Sequence, residues 1–277
     1  MHWKTGKITG CLLMICLYAA VFSGIFGLKV SLAQEINIDL FENKTKERTL
    51  QEEPFQLEVV SVIAENTPTF RVYIYHTHTY EAYDMRDGNQ YKKTENWRTA
   101  DDNFNMIRIG AELKKQLENA GIEVDHDTTH YEMPKLSTAY SRSLVGLQKA
   151  VEIGYDLYID LHRDSYSKNN GPNTISDEGR ELARFLFLIG QGTGTGFDEK
   201  PAWEKNAQAA QIISDALNDQ LPGLSRGVSL KSGRYNQQAA TPVLLIEAGN
   251  NQNTLTEMLA AIPPLANAIC SYFDTVK

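Results

Sequence analysis

The sequence predicts a three-layer α/β/α domain with a mostly parallel central sheet, preceded by an N-terminal membrane segment. Three observations predict it: from about residue 70 apolar strand-like runs alternate with segments of helical period, glycines close those helical segments, and an uncharged apolar run lies near the N-terminus. With 277 residues and 42% hydrophobic content, the chain is long enough for one substantial core and an appendage.

The first element is the apolar run. Lys4 and Lys7 precede "CLLMICLYAAVFSGIFGL", residues 11–28, which carries no charge. A hydrocarbon core of roughly 30 Å needs about this length, and "SLA", residues 31–33, supplies small residues suited to cleavage. Residues 1–33 are therefore a signal peptide or a membrane anchor. In both cases the chain beyond Gln34 is expected on the extracytoplasmic face, anchored there or released after Ala33. "ITGC", residues 8–11, precedes the apolar run where a lipoprotein box should follow it. Cys11 and Cys16 belong to this segment, which leaves Cys270 alone in the exported part, with neither an internal disulfide nor a cysteine-rich metal site.

Residues 34–69 form a tether and entry segment, charged and weakly periodic in "QEINIDLFENKTKERTLQEEP". Residues 70–277 are the folded domain. "FRVYIYHTH" (70–78) reads as a strand, and "NMIRIGAELKKQLENAG" (105–121) as a helix closed by Gly121. "IEVDH" (122–126) is the next strand. "SRSLVGLQKAVEIG" (141–154) repeats the helix and glycine, and "YDLYIDLHRD" (155–164) the strand. "RFLFLIG" (184–190), a helix over 203–221 and "PVLLIEAG" (242–249) continue the alternation, and a last helix from near Thr254 should be broken or kinked at Pro263 and Pro264.

In open α/β sheets ligands bind at the carboxyl ends of the strands, so the strand ends are where chemistry is expected. The first run finishes with His76, His78 and Glu81, a later one with His162, and the last with Glu247. His76 and His78 are two apart on a strand and should share a face, and imidazole is a common zinc ligand. "HTYE" (78–81) adds a His-x-x-Glu spacing. In "DLHRD" (160–164), Asp160 shares the face of His162 and could orient it, Asp164 lies just past the strand, and Arg163 points away. A buried ion-pair cluster is the plainer reading of that stretch. Glu247 ends a buried strand, where a carboxylate is costly unless paired or functional, and it is suited to act as a base.

Other motifs carry less. His126 and His130 in "HDTTH" follow a strand, where i, i+4 spacing does not align side chains, and they read as surface residues. "GQGTGTG" (190–196) lacks the Lys-Ser/Thr of a phosphate loop and reads as a flexible loop. A serine hydrolase is not expected. A net charge of −8 with scattered Lys and Arg argues against a nucleic-acid partner.

The combination of "YHTHTYEAY", "IDLHRDS", "YNQ" (235–237) and "LLIEAGNNQNT" resembles the stage II sporulation protein P family of spore-forming bacteria, related in fold to zinc-dependent cell-wall amidases. The resemblance implies an N-acetylmuramoyl-L-alanine amidase that removes stem peptides from peptidoglycan, with a second endopeptidase activity on cross-links, at work in engulfment. It implies Zn2+ held by a first-strand histidine, Glu81 and His162, with Glu247 as the catalytic carboxylate. His-x-x-Glu spacing favours His78, with His76 as the alternative. Asp160, Arg163, Asp164, Asn236 and Gln237 are implied around the metal or the substrate. The implied partners are a lytic transglycosylase of the sporulation protein D type and a membrane protein of the M type. Two other readings stand beside this one: a non-catalytic wall-binding protein, and a different zinc peptidase using Arg163 or Arg234 to hold a substrate carboxylate.

Overall fold

The computed structural model describes residues 70–276. The membrane segment and tether expected over residues 1–69 lie outside the described residues. In chain order the elements are β1 (Arg71–Tyr75), α1 (Met106–Asn119), β2 (Glu123–His126), α2 (Ala139–Ile153), β3 (Leu157–Asp164), β4 (Thr174–Asp177), β5 (Arg180–Ala183), β6 (Phe185–Gly190), α3 (Trp203–Gln220), β7 (Ser225–Lys231), β8 (Val243–Asn250) and α4 (Leu255–Thr275). Among the described residues no helix is long and apolar enough to cross a membrane.

Six strands form one sheet in the order β2-β1-β3-β8-β6-β7, and β4 and β5 form a separate antiparallel hairpin. β2, β1, β3 and β8 run parallel, so their carboxyl ends share one edge. β6 runs antiparallel to β8, and β7 runs parallel to β6. The reversal has a topological cause. A parallel crossover needs a dozen or more residues, usually a helix; between β3 and β6 the chain makes only the β4-β5 hairpin, so it re-enters the sheet from the edge it has just left. The hairpin and β7 had no clear sequence signal. The hairpin turns on Glu178 and Gly179, both at positive φ, and "SRGVSLK" has the composition of a weak edge strand.

The two faces of the sheet are covered unequally. Val72, Ile74, Leu157, Ile159, Leu161, Leu244 and Ile246 join the main core with buried residues of α1, α3 and α4. Residues of opposite parity, Tyr73, Tyr75, Tyr158 and Val243, form a smaller cluster with Leu147 and Ala150 of α2. One face therefore carries three helices and the other carries one.

Local signals set the helix ends. Asn105 caps α1 by accepting a hydrogen bond from Ile107 N, and Gly121 takes φ 84 just beyond its last turn. Thr254 and Glu257 make a reciprocal capping box on α4. Pro263 and Pro264, expected to break or kink α4, sit inside one continuous helix. Each proline costs about 3 kcal/mol in a helix interior, and α4 offsets this by burying Leu255, Met258, Ile262, Leu265, Ile269 and Phe273.

Candidate active site

β1 stops at Tyr75, whose ladder partner is Asp160, and the chain then turns away from the sheet. The alternation of faces ends with the strand. His76 and His78 therefore do not share a face, which corrects the expectation from their spacing. His76 Nδ1 donates to Leu161 O at 2.9 Å, which leaves Nε2 of the neutral ring as an acceptor, and His126 Nε2–H fills it at 2.8 Å. Both nitrogens of His76 are thus occupied. Burial, with each ring facing the other, lowers His76 to about 3, and burial lowers His126 to about 4, so the pair is neutral. His126 is no surface residue. It packs under α1 at Gly110, where a Cβ would lie 2.6 Å from His76 Nε2. His130 is half-exposed and meets Thr79 Oγ1 at 3.0 Å.

His78 turns instead toward His162, with ring centroids 5.3 Å apart and nearly perpendicular. Its Nδ1 is buried without a hydrogen-bond partner. On β3, Asp160 and His162 alternate with Ile159 and Leu161, so both face the α2 side of the sheet. Glu247 stands opposite His162 in the register of β8, on the same side as Val243. Among the residues named at the strand ends, the structure thus gathers His78, Asp160, His162 and Glu247 on one face.

Asp160 is wholly buried and accepts from Thr77 N at 2.8 Å and Thr77 Oγ1 at 2.7 Å. His162 Nε2 lies 2.8 Å from Asp160 Oδ1, but off the direction of a hydrogen bond, and is otherwise without a partner. Burial pushes the Asp160 carboxyl up, yet His162 and the two bonds from Thr77 outweigh it and hold it below the usual carboxylate range. Burial lowers His162, but the charge of Asp160, aided by Glu81 and Glu247, raises it on balance to about 9. Burial lowers His78 to about 4, with His162 adding to the effect. Burial also raises the Glu247 carboxyl to about 7, against the pull of His162, and its Oε2 has no hydrogen-bond partner.

Glu81 reaches the same edge and accepts from Arg163 N at 3.0 Å through Oε2. Arg163 points its guanidinium to Asp164 O and Trp97 O, consistent with its expected turn away from His162. Asp164 pairs with Arg226 at 2.6 Å, not with Arg163. Asn236 Nδ2 donates to Tyr140 O at 2.9 Å and Ser143 Oγ at 3.0 Å, tying the loop after β7 to the first turn of α2. Gln237 is spent on structure: Oε1 accepts from Gly190 N at 2.9 Å and Nε2 donates to Leu188 O at 2.8 Å.

Sequence reasoning missed Thr77, Tyr140 and the pair Arg98–Glu132. Tyr140 stands over the site, its ring 5.6 Å from that of His78 and 6.3 Å from that of His162. Glu132 is buried, ion-paired with Arg98, and accepts from Tyr80 N at 2.6 Å, fixing the turn that carries Glu81. Thr77, a hydroxyl between two histidines, was the one with a readable signal.

Among the described residues no group of three or more His, Cys, Asp or Glu is drawn together as a set that could hold a metal ion. The donors nonetheless fit a cation in their chemistry. His78 Nδ1 and Glu247 Oε2 are buried and unpartnered at one place, where polar atoms are normally satisfied, His162 Nε2 there meets only the Asp160 carboxylate, and three carboxylates favour positive charge on His162.

Fold and site together define an open α/β domain with histidines and carboxylates gathered at the ends of three parallel strands, on the thinly covered face. The family model described as Stage II sporulation protein P matches residues 30–270, and the chain belongs to that family. It is 28% identical over 221 residues to Stage II sporulation protein P of Bacillus subtilis (strain 168), covering 74% of this chain and 52% of that protein. The chain thus spans about half the length of this curated relative. Among solved structures, the catalytic domain of the CD27L endolysin targeting Clostridia Difficile is 16% identical, covers 74% of this chain and 97% of its own, and has a TM-score of 0.46. The CwlD amidase from Clostridioides difficile, in complex with the GerS lipoprotein, is 14% identical, covers 75% and 98%, and has a TM-score of 0.49. Both TM-scores fall below 0.5.

Proposed function

We propose that the chain is a peptidoglycan hydrolase of sporulation, an N-acetylmuramoyl-L-alanine amidase that cuts the amide between the lactyl group of the glycan and the stem peptide. Family membership supports the setting, and one observation carries the chemistry: His78 Nδ1 and Glu247 Oε2 are buried without partners at the same strand ends, beside His162, whose Nε2 meets only the Asp160 carboxylate. The group implied at His78, Glu81 and His162 is Zn2+, whose chemistry when bound is Lewis acidity toward the amide carbonyl and acidification of water.

The protein's own part is proton handling and orientation. Glu247 Oε2 takes a proton from the attacking water and returns it to the departing alanine nitrogen, so the C–N bond breaks and a carboxylic acid and an amine result. Its carboxyl, pushed to about 7 by burial, suits both halves of that exchange near neutral pH. Asp160, braced by Thr77, sets a negative charge 2.8 Å from His162 Nε2. Tyr140 shields the two imidazoles from solvent. Docking to a lytic transglycosylase of the sporulation protein D type and an M-type membrane protein, during engulfment at the extracytoplasmic face, belongs to the same proposal.

The test is mass spectrometry of peptidoglycan incubated with the full chain, with zinc and with chelator. Free stem peptides beside intact glycan, lost with chelator, are expected. Cleaved cross-links alone would make it an endopeptidase, and no product from folded, zinc-loaded protein would make it a wall-binding protein.

A further inference from the structure

A cavity of about 310 Å³ lies beside the site, walled by Tyr140, Phe197, Gly233, Arg234, Tyr235 and Asn236. Tyr140 belongs to both, since its ring contacts His78 on one side and Tyr235, at 6.0 Å between centroids, on the other.

The cavity is built by the glycine-rich stretch that reads as a flexible loop in the sequence. Gln191 N, Gly192 N and Gly194 N donate to Lys231 O, Gly233 O and Ser232 O, so the loop after β6 is laced to the loop after β7. Gly190 allows this approach, because a Cβ there would lie 2.7 Å from the carbonyl oxygens of Gly233 and Arg234. Tyr235 and Asn236 then take positive φ, 52° and 59°, a conformation that costs an L residue energy and recurs at binding sites.

Arg234 is the group without an evident structural duty. Arg71, Arg86, Arg98, Arg108, Arg180 and Arg226 each pair with a carboxylate, while Arg142, Arg163 and Arg184 bond to carbonyls of neighbouring loops. Arg234 stacks on Phe197, 4.5 Å from the ring centroid, with one hydrogen bond to Glu199 O that is long at 3.4 Å. No carboxylate among the described residues pairs with it. Stacking fixes the plane of the guanidinium and leaves its N–H edge available, an arrangement suited to a carboxylate.

We propose that this cavity is a subsite for a carboxylate-bearing segment of the stem peptide, with Arg234 as the group that binds the carboxylate and Tyr140 and Tyr235 as the walls that align the peptide with the strand-end site. The inference rests on the amidase reading for the identity of the peptide. It explains how a chain of net charge −8 accepts an anionic peptide.

The experiment measures binding, without turnover, by calorimetry on the full chain. A soluble stem peptide with free carboxylates is compared with the same peptide carrying carboxamides, on wild type, Arg234→Gln and Arg234→Lys. Wild type is expected to prefer the free acid by about tenfold or more, Arg234→Gln to lose the preference, and Arg234→Lys to keep part of it. Partial rescue by Lys separates loss of the charge from collapse of the loop. Equal binding of both peptides by wild type, or an unchanged preference in Arg234→Gln, overturns the proposal. Peptidoglycan cleavage without the preference would overturn this inference and leave the amidase reading standing; the preference without cleavage would do the reverse.

Discussion

The two faces of the sheet are made from the same strands and do opposite work. On the face of α1, α3 and α4, β1, β3 and β8 present mainly packed aliphatic residues; of the polar groups there, His76, just past β1, has both ring nitrogens satisfied, and Arg163 bonds to the carbonyls of Asp164 and Trp97. On the face of α2 the same strands present Asp160, His162 and Glu247, and buried atoms there lack partners. Three helices close the first face. A single helix leaves the second open enough for a site and an adjoining cavity. Burying titratable groups costs stability, so the gathering of His78, Asp160, His162 and Glu247 on one face teaches that the second face is kept for chemistry.

The sharpest way to break this comparison is Glu247→Gln. It should lower the turnover of peptidoglycan by about 10²- to 10⁴-fold with thermal stability kept or raised, since a buried carboxyl is neutralised; full activity would show that Glu247 is not the base. On the opposite face, Phe187→Ala, at a wholly buried position of β6, should cost about 3–5 kcal/mol in denaturant unfolding. If that variant unfolds normally while Glu247→Gln does not, the roles of the faces are reversed.

A smaller effect separates the faces by pH in metal-free protein. His76 and His126, lowered to about 3 and about 4, lie below the unfolded histidine value of about 6.5. As pH falls below about 6.5 the unfolded chain takes up protons first, so their contribution to stability is lost from there down to their folded values. His162, raised to about 9, does the opposite: its contribution is full below about 6.5 and lost as pH rises through 9. Unfolding free energies across pH should therefore lose the alkaline decline in His162→Asn and weaken the acid decline in His126→Gln. An unchanged profile in either variant would remove that histidine from the account.

Much of this was legible in the sequence. The strands that carry His162 and Glu247 were readable because their apolar runs end in charged residues, and the parallel order of β1, β3 and β8 put those ends at one edge. His76 and His78 were not separable, because the period-2 rule lapses where the ladder stops at Tyr75. Tyr140 comes to the site through the packing of a helix, which no local pattern encodes. The cavity depends on backbone pairing between residues 191–194 and 231–233, and glycine-rich loops announce freedom, not the partner that uses it. Reversal of β6 needed the length of the β3–β6 connection, not the character of the strand itself.

The most direct test of the account is the zinc content of purified full chain after dialysis against zinc, in wild type, His78→Ala and His76→Asn. The account predicts one equivalent in wild type and in His76→Asn, and loss of metal in His78→Ala. Metal kept without His78 and lost without His76 would contradict it, placing the cation on the packed face where the structure shows a closed histidine pair.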